Sequence, residues 1–257
     1  MPRFQVTRSV ATRDASAIRV RCDGCDPARP CDEHARSAAL WLVTAGAFEL
    51  RDAAGRHMLD PTRALVMPRG HAFQIRHPAG PDTCVAFRGP LIDALAAHGP
   101  RMIEIAPATL ARLTAQLARP DDELALGETI AQLAPAGHAI TAPRDLAGAV
   151  ADRLRAQFAA PTSLGELASA TGYSVFHTCR VFRAATGTTI HGFRRELRLR
   201  HALARILDSR DSLTEIALAT GFASQSHLTN LFRARFGITP ARARTPAGQR
   251  ALSSIRV

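Results

Sequence analysis

The sequence predicts an α+β chain of two domains: a compact antiparallel β-barrel or sandwich first, and an all-α region carrying two helix-turn-helix units, joined by a long helix, last. Three observations carry that expectation. The chain has 257 residues, more than one ordinary domain and fewer than three. Its first hundred residues break into short apolar runs between turn formers, whereas its last hundred contain an internal near-repeat with helical periodicity. Charge is split in the same way. Residues 144–257 hold 17 Arg against 7 Asp and Glu, a net of +10, while residues 1–143 hold 16 Arg against 15, a net of +1. An excess confined to one region suits a polyanion surface, because each neutralised phosphate releases counterions. The boundaries that follow are 1–105 for the β-rich domain, 106–142 for connector helices and 143–257 for the basic helical domain.

The β-rich part reads from Leu40 to Phe87 as LWLVTAGAFELRD, AAGRH, MLDPTRALVMPRGHAFQIRH, PAGPD and TCVAF, apolar runs punctuated by Gly, Pro and Asp. The period then switches in PATLARLTAQLAR, DDELALGETIAQLA and PRDLAGAVADRLRAQFA. These are amphipathic helices, expected to connect the domains and to offer a dimerisation surface.

The repeat comes next. Leu164, Leu167, Ala168 and Gly172 recur 49 positions later as Leu213, Ile216, Ala217 and Gly221, and Phe182 and Gly187 recur 50 later as Phe232 and Gly237. In each copy a Ser precedes a short helix with Glu three residues on, Ser163 with Glu166 and Ser212 with Glu215, the spacing of a capping box. Gly172 and Gly221 then stand where a left-handed turn ends the first helix. A second helix follows, seeded by Ser174 or Ser224, with Val181 and Phe182, or Leu228, Leu231 and Phe232, facing inward. Between the copies, HGFRRELRLRHALARILDS forms a long helix whose Phe193, Leu197, Leu199, Leu203, Ile206 and Leu207 can face both units.

On these residues, and most plainly on IALATGFASQSHLTNLFRARFGITPARAR, the stretch from about 146 to 244 resembles the DNA-binding domain of the AraC/XylS family of bacterial regulators. The resemblance implies that Phe176, His177, Cys179 and Arg180 in one reading helix, and Ser224, Gln225, Ser226, His227 and Asn230 in the other, face DNA. Arg180 suits guanine, and Gln225 or Asn230 suits adenine. Phosphate contact or plain solvation is the alternative for each. His191, Arg194, Arg195 and Arg198 read as phosphate contacts or surface charge. The β-rich part is similar to the cupin-like sensor domains that accompany members of this family. Implied partners are double-stranded promoter DNA, an unidentified small-molecule or metal effector, RNA polymerase and a second copy of the chain.

All 33 basic residues are Arg, a composition bias that gives no single Arg special weight. The five Cys sit at 22, 25, 31, 84 and 179. RCDGCDPARPCDEH places Cys22, Cys25, Cys31 and His34 in a C-x2-C-x5-C-x2-H array that could wrap one zinc ion. A thiol redox sensor and unliganded loop cysteines remain alternatives, while Cys84 is expected in the core and His57, His71 and His77 look scattered. No apolar run is long enough to span a bilayer and the start lacks a signal-peptide stretch, so a cytoplasmic chain without membrane contact is expected. The expected function is a sequence-specific transcription regulator, not an enzyme. A cupin-type enzyme or a cysteine-based alkyl acceptor fused to DNA-binding helices stays open as the alternative.

Overall fold

The computed structural model of the chain describes residues 4–11, 16–23, 31–78, 80–118, 138–139 and 145–253. The strands in chain order are β1 (Phe4–Ala11), β2 (Ser16–Cys22), β3 (Cys31–His34), β4 (Ala39–Ala45), β5 (Phe48–Asp52), β6 (Gly55–Leu59), β7 (Arg63–Met67), β8 (Ala72–Arg76), β9 (Asp82–Arg88), β10 (Arg101–Glu104) and β11 (His138–Ala139). All pairings are antiparallel. They make a seven-stranded sheet, β1-β2-β9-β4-β7-β10-β11, and a four-stranded sheet, β3-β8-β5-β6.

Among the described residues neither sheet closes on itself, so the N-terminal part is an open two-sheet sandwich and not the barrel that was one of the expected forms. The runs LWLV, ALVM and CVAF show why. They are nearly continuous in apolar residues, as strands buried on both faces must be. Leu40, Leu42, Ala64, Val66, Val85 and Phe87 point one way, into a core shared with helices. Val43, Leu65, Met67 and Cys84 point the other way and meet Phe48, Leu50, Leu59, Phe73 and Ile75 of the second sheet. A period of two thus serves two cores at once. Cys84 is buried, as expected.

The helices are α1 (Pro90–Ala96), α2 (Pro107–Ala118), α3 (Leu146–Ala156), α4 (Leu164–Thr171), α5 (Val175–Thr186), α6 (Ile190–Asp208), α7 (Leu213–Ala219), α8 (Gln225–Phe236), α9 (Pro240–Ala243) and α10 (Pro246–Ser253). No helix among the described residues is long and apolar enough to cross a membrane. α2 packs on α6 and α10, burying Ala108, Leu110, Ala111 and Leu113. The apolar face expected to mediate dimerisation is, for this helix, covered within the chain. DDELALGETIAQLA lies outside the described residues.

α6 is the hub. Phe193 and Leu197 join the core of the first unit, whereas Leu199, Leu203 and Ile206 join the core of the second unit, which runs on without a break into the helical face of the large sheet. Polar contacts reinforce this junction. Arg19 of β2 meets Asp208 of α6 at 2.5 Å, and Arg200 of α6 donates to the Ile105 carbonyl. Arg155 of α3, only 3% exposed, reaches Asp60 between β6 and β7 at 3.3 Å. Asp60 also accepts from the Thr62 amide at 2.8 Å and hydroxyl at 2.5 Å. Burial opposes ionisation of Asp60, but Arg155 leads the opposing contacts and its pKa stays below the usual carboxylate value.

Candidate nucleic-acid interface

The two units are built by the same local devices. Ser163 Oγ accepts from the Glu166 amide at 3.1 Å while Glu166 accepts from the Ser163 amide at 2.7 Å. Ser212 and Glu215 repeat the box at 3.1 and 2.8 Å. Those bonds lower the pKa of each Glu. After α4 and α7 the chain turns through Gly172 (φ 74°) and Gly221 (φ 81°). Ser174 and Ser224 then cap α5 and α8 by accepting from the His177 and His227 amides at 3.2 and 3.1 Å. Both second helices end on left-handed glycines, Gly187 and Gly237, and Thr189 and Thr239 cap the helices that follow.

Phe182, Leu228 and Phe232 are fully buried, and Val181 and Leu231 pack partly, as their inward assignment requires. The opposite face carries the expected DNA-facing residues. Phe176, on the first turn of α5, is 79% exposed and borders a cleft with Leu164, Cys179 and Ile190. Arg180 is exposed one turn on, whereas Cys179 is half-buried against the first unit's core. In the second unit Ser224, Gln225, Ser226, His227 and Asn230 are all exposed. The docked sheets therefore leave both helices accessible.

Several of these side chains have prior commitments. The Ser224 hydroxyl accepts as the cap of α8, and Gln225 Oε1 accepts from Thr214 at 2.9 Å. Gln225 thus keeps its amide donors and one carbonyl lone pair to offer, while Asn230 carries no such tie among the described contacts. His177 stacks on Tyr173 at 4.9 Å and His227 meets Phe222 edge-on at 5.6 Å. In each unit an aromatic ring after the turn sets the histidine's orientation. Sequence reasoning missed this pairing, although Tyr173 and Phe222 occupy matching places.

The second helix of the second unit is also braced against the hub. Arg235 forks onto Glu196 at 2.9 and 3.1 Å, and Arg200 joins the same carboxylate at 3.1 Å. Arg194 and Arg198, expected as phosphate contacts or surface charge, work inside the fold. Arg194 donates to the Thr162 carbonyl at 2.6 Å, and Arg198 donates to the carbonyls of Phe158, Ala159 and Ala160 at 2.8, 3.2 and 3.3 Å. Loop carbonyls outside regular structure need donors, and a five-donor guanidinium supplies several at once. His191 and Arg195 stay exposed.

The N-terminal set is distributed differently. Cys22 is buried at the end of β2, His34 is exposed on β3 of the other sheet, and Cys25 and the Cys31 side chain lie outside the described residues. The histidines that looked scattered are each partnered. His57 and His71 flank Asp52 at 3.3 and 2.9 Å, and His77 lies 3.2 Å from Asp82. Burial leads the causes that lower the His57 pKa. His57 and Asp52 lie five positions apart on paired strands, whereas His71 reaches Asp52 from 19 positions away, a meeting that local spacing does not encode.

Residues 167–245 match a family described as a helix-turn-helix domain. HTH-type transcriptional regulator GlxA of Rhizobium meliloti is 37% identical over 100 residues, 39% of this chain and 31% of that protein. Probable transcription factor PqrA of Proteus vulgaris is 36% identical over 78 residues, 30% of this chain and 64% of that protein. The chain therefore spans less than two thirds of the length of either relative. Among solved structures, an AraC-type transcriptional regulator from Chromobacterium violaceum is 29% identical, covering 38% of this chain and 88% of that chain at a TM-score of 0.37. ToxT of Vibrio cholerae is 10% identical, covering 95% and 100% at a TM-score of 0.39. Both named relatives carry the names of transcription regulators. On sequence relationship and doubled unit alike, residues 167–245 of this chain form a helix-turn-helix domain, similar over 100 and 78 residues to proteins named as transcription regulators.

Proposed function

We propose that the whole chain is a sequence-specific transcriptional regulator of the AraC/XylS type. It would work in the cytoplasm on double-stranded promoter DNA, with the two-sheet domain sensing a small molecule or metal. The observation that carries this reading is the pair of accessible second helices, α5 and α8, mounted on one scaffold helix, α6. Each is a candidate for one major groove. In α5, Phe176 offers apolar contact to a thymine methyl and Arg180 a fork for guanine O6 and N7. In α8, Asn230 and Gln225 each offer an amide group for adenine, Gln225 with one carbonyl lone pair already taken by Thr214. Ser226, His177 and His227 supply further polar contacts, and Cys179 and Ser224 support the geometry more than they read it. A signal acts only if it binds two arrangements of the chain with different affinity. The unbroken core between sheet and α6 supplies a route for that difference. Contact with RNA polymerase and homodimerisation belong to the same proposal, from the family resemblance.

The test is selection of genomic fragments by the purified chain at near-physiological salt, beside Arg180→Ala and Asn230→Ala. A few promoter fragments sharing two sub-sites are expected, with each variant binding them about tenfold to a hundredfold more weakly, the 1–3 kcal/mol of one good base contact. Uniform recovery across the genome, or variants equal to the parent, would overturn the assignment of the reading helices.

A further inference from the structure

At one end of the sandwich three donor side chains of different chemistry converge, and nothing in the DNA-binding reading uses them. Cys22 on β2 stands directly opposite Asp82 on β9 in the strand register. His77, in the segment that follows β8 of the other sheet, comes between them. Its Nδ1 is 4.0 Å from Cys22 Sγ, and its Nε2 is 3.2 Å from Asp82 Oδ1. One ligand atom from each residue lies within 4.8 Å of the others. Cys22 and Asp82 are each 3% exposed, and the His77 side chain is 2% exposed.

The electrostatics of this corner ask for a cation. A carboxylate removed from water needs a charge partner or good hydrogen bonds, yet Asp82 Oδ1 is buried and makes no aligned hydrogen bond among the described residues. Its approach to His77 is close but poorly directed. A thiol, an imidazole and a carboxylate are also the donor set of zinc and similar borderline-soft ions. Only one nitrogen of His77 can ligate a given ion, and taken one atom per residue the three donors lie within 4.8 Å of one another; ligand atoms on one tetrahedral zinc stand roughly 3.5 Å apart, so an ion would draw them together by about 1 Å. Cys84 is not part of the set. Its side chain packs in the apolar core between the sheets with Val43, Leu65 and Met67.

We propose that Cys22, His77 and Asp82 form a binding site for one zinc-class divalent cation, with a water molecule completing the shell. This differs from the array read along the sequence. His34 lies opposite Ala72 on β8, five residues before His77, or about 16 Å along a strand. An ion on His77 therefore recruits Cys22 without His34. Because β2 and β9 belong to one sheet and His77 follows a strand of the other, the ion clips the two sheets together. Asp82 also borders a cleft shared with His201, Asp208 and Thr220 of the helical region. Any effect of the ion on promoter affinity rests on the regulator reading; binding of the ion does not.

The full chain, reduced and stripped of metal, is titrated with Co2+ and then with Zn2+. One equivalent of Co2+ is expected to give a thiolate-to-cobalt charge-transfer band that Zn2+ abolishes, and Zn2+ is expected to raise the melting temperature. Cys22→Ser, a near-isosteric change checked for folding by circular dichroism, removes the band. His77→Ala and Asp82→Asn weaken Co2+ binding at least about tenfold. A Cys25→Ser, Cys31→Ser double variant keeps the band. No band in the parent, or a band lost in the Cys25/Cys31 variant and kept in His77→Ala, overturns the site. The first of those results leaves a plain buried His77–Asp82 pair, and the second places the ion on the loop cysteines. Promoter selection is scored separately with and without Zn2+, so failure of the regulator reading and failure of the metal site are told apart.

Discussion

At the scale of single residues, matching positions of the two units differ in what surrounds them. Gly172 and Gly221 both sit at positive φ, but a Cβ on Gly172 meets nothing within 4 Å. One on Gly221 would stand 2.7 Å from the Ala159 carbonyl oxygen and 2.8 Å from Arg198 Nε. Gly172→Ala should cost about 1–2 kcal/mol, the left-handed penalty alone. Gly221→Ala adds a backbone clash in a packed junction and should cost at least about 3 kcal/mol; equal urea midpoints for the two variants would refute that difference. Thr178 occupies the place of Leu228 in the second unit. It is 1% exposed, and its hydroxyl has no hydrogen-bond partner among the described residues. Thr178→Val should therefore stabilise the chain by about 1 kcal/mol, because it removes an unsatisfied buried group and keeps the shape. Denaturant unfolding measures it, and a loss of stability would show that the hydroxyl is bonded.

At the scale of elements, α3 and α6 hold the helical region to the sandwich through charges as well as apolar packing. Arg155 and Asp60 are both buried, and their contact at 3.3 Å lacks hydrogen-bond alignment, so it acts as a charge contact. Burial lowers the Arg155 pKa, and Arg155→Met should cost about 3–5 kcal/mol by stranding Asp60. Adding Asp60→Asn should recover part of that loss. A double-mutant cycle by urea unfolding measures the coupling, and strictly additive losses would show that the pair does not interact. The capping boxes, by contrast, act within one helix, and they were legible because Ser and Glu three residues apart satisfy backbone donors without help from the rest of the chain.

At the scale of the whole molecule, the apolar core runs from the sheet through α6 into the second unit. Thermal unfolding should show one transition for the sandwich and the second unit together. Two well-separated transitions would mean that the junction melts first. His201 lies inside this junction, fully buried, stacked on Phe158 at 3.5 Å and near Asp60. Burial lowers its pKa to about 4, against a weaker opposing pull from Asp60. A folded-state pKa below the ordinary value of 6.5 means that the unfolded chain takes up the proton first. The stabilising contribution is thus complete above 6.5 and is lost as pH falls towards 4, about 3 kcal/mol in all. His201→Phe should flatten the dependence of stability on pH over that window; an unchanged slope would assign the acid sensitivity to other groups.

The sequence by itself determined the doubled helical unit, its caps, its turns and the inward faces of its helices. Those features depend on residues within a few positions of one another, and the 49- and 50-residue offsets exposed them twice. It also announced the β-rich half, through runs such as LWLV and CVAF, but did not tell a closed barrel from two open sheets. Strand order depends on pairing between distant segments, such as β2 with β9. The tertiary structure alone decided that α2 is covered inside the chain, that Arg194 and Arg198 serve loop carbonyls, and that His77 joins Cys22 and Asp82. The physical reason is common to all three. A side chain's partner across a fold is set by which surfaces are buried together: Cys22 meets Asp82 only because β2 pairs with β9, and His77 reaches them from the end of a strand of the other sheet.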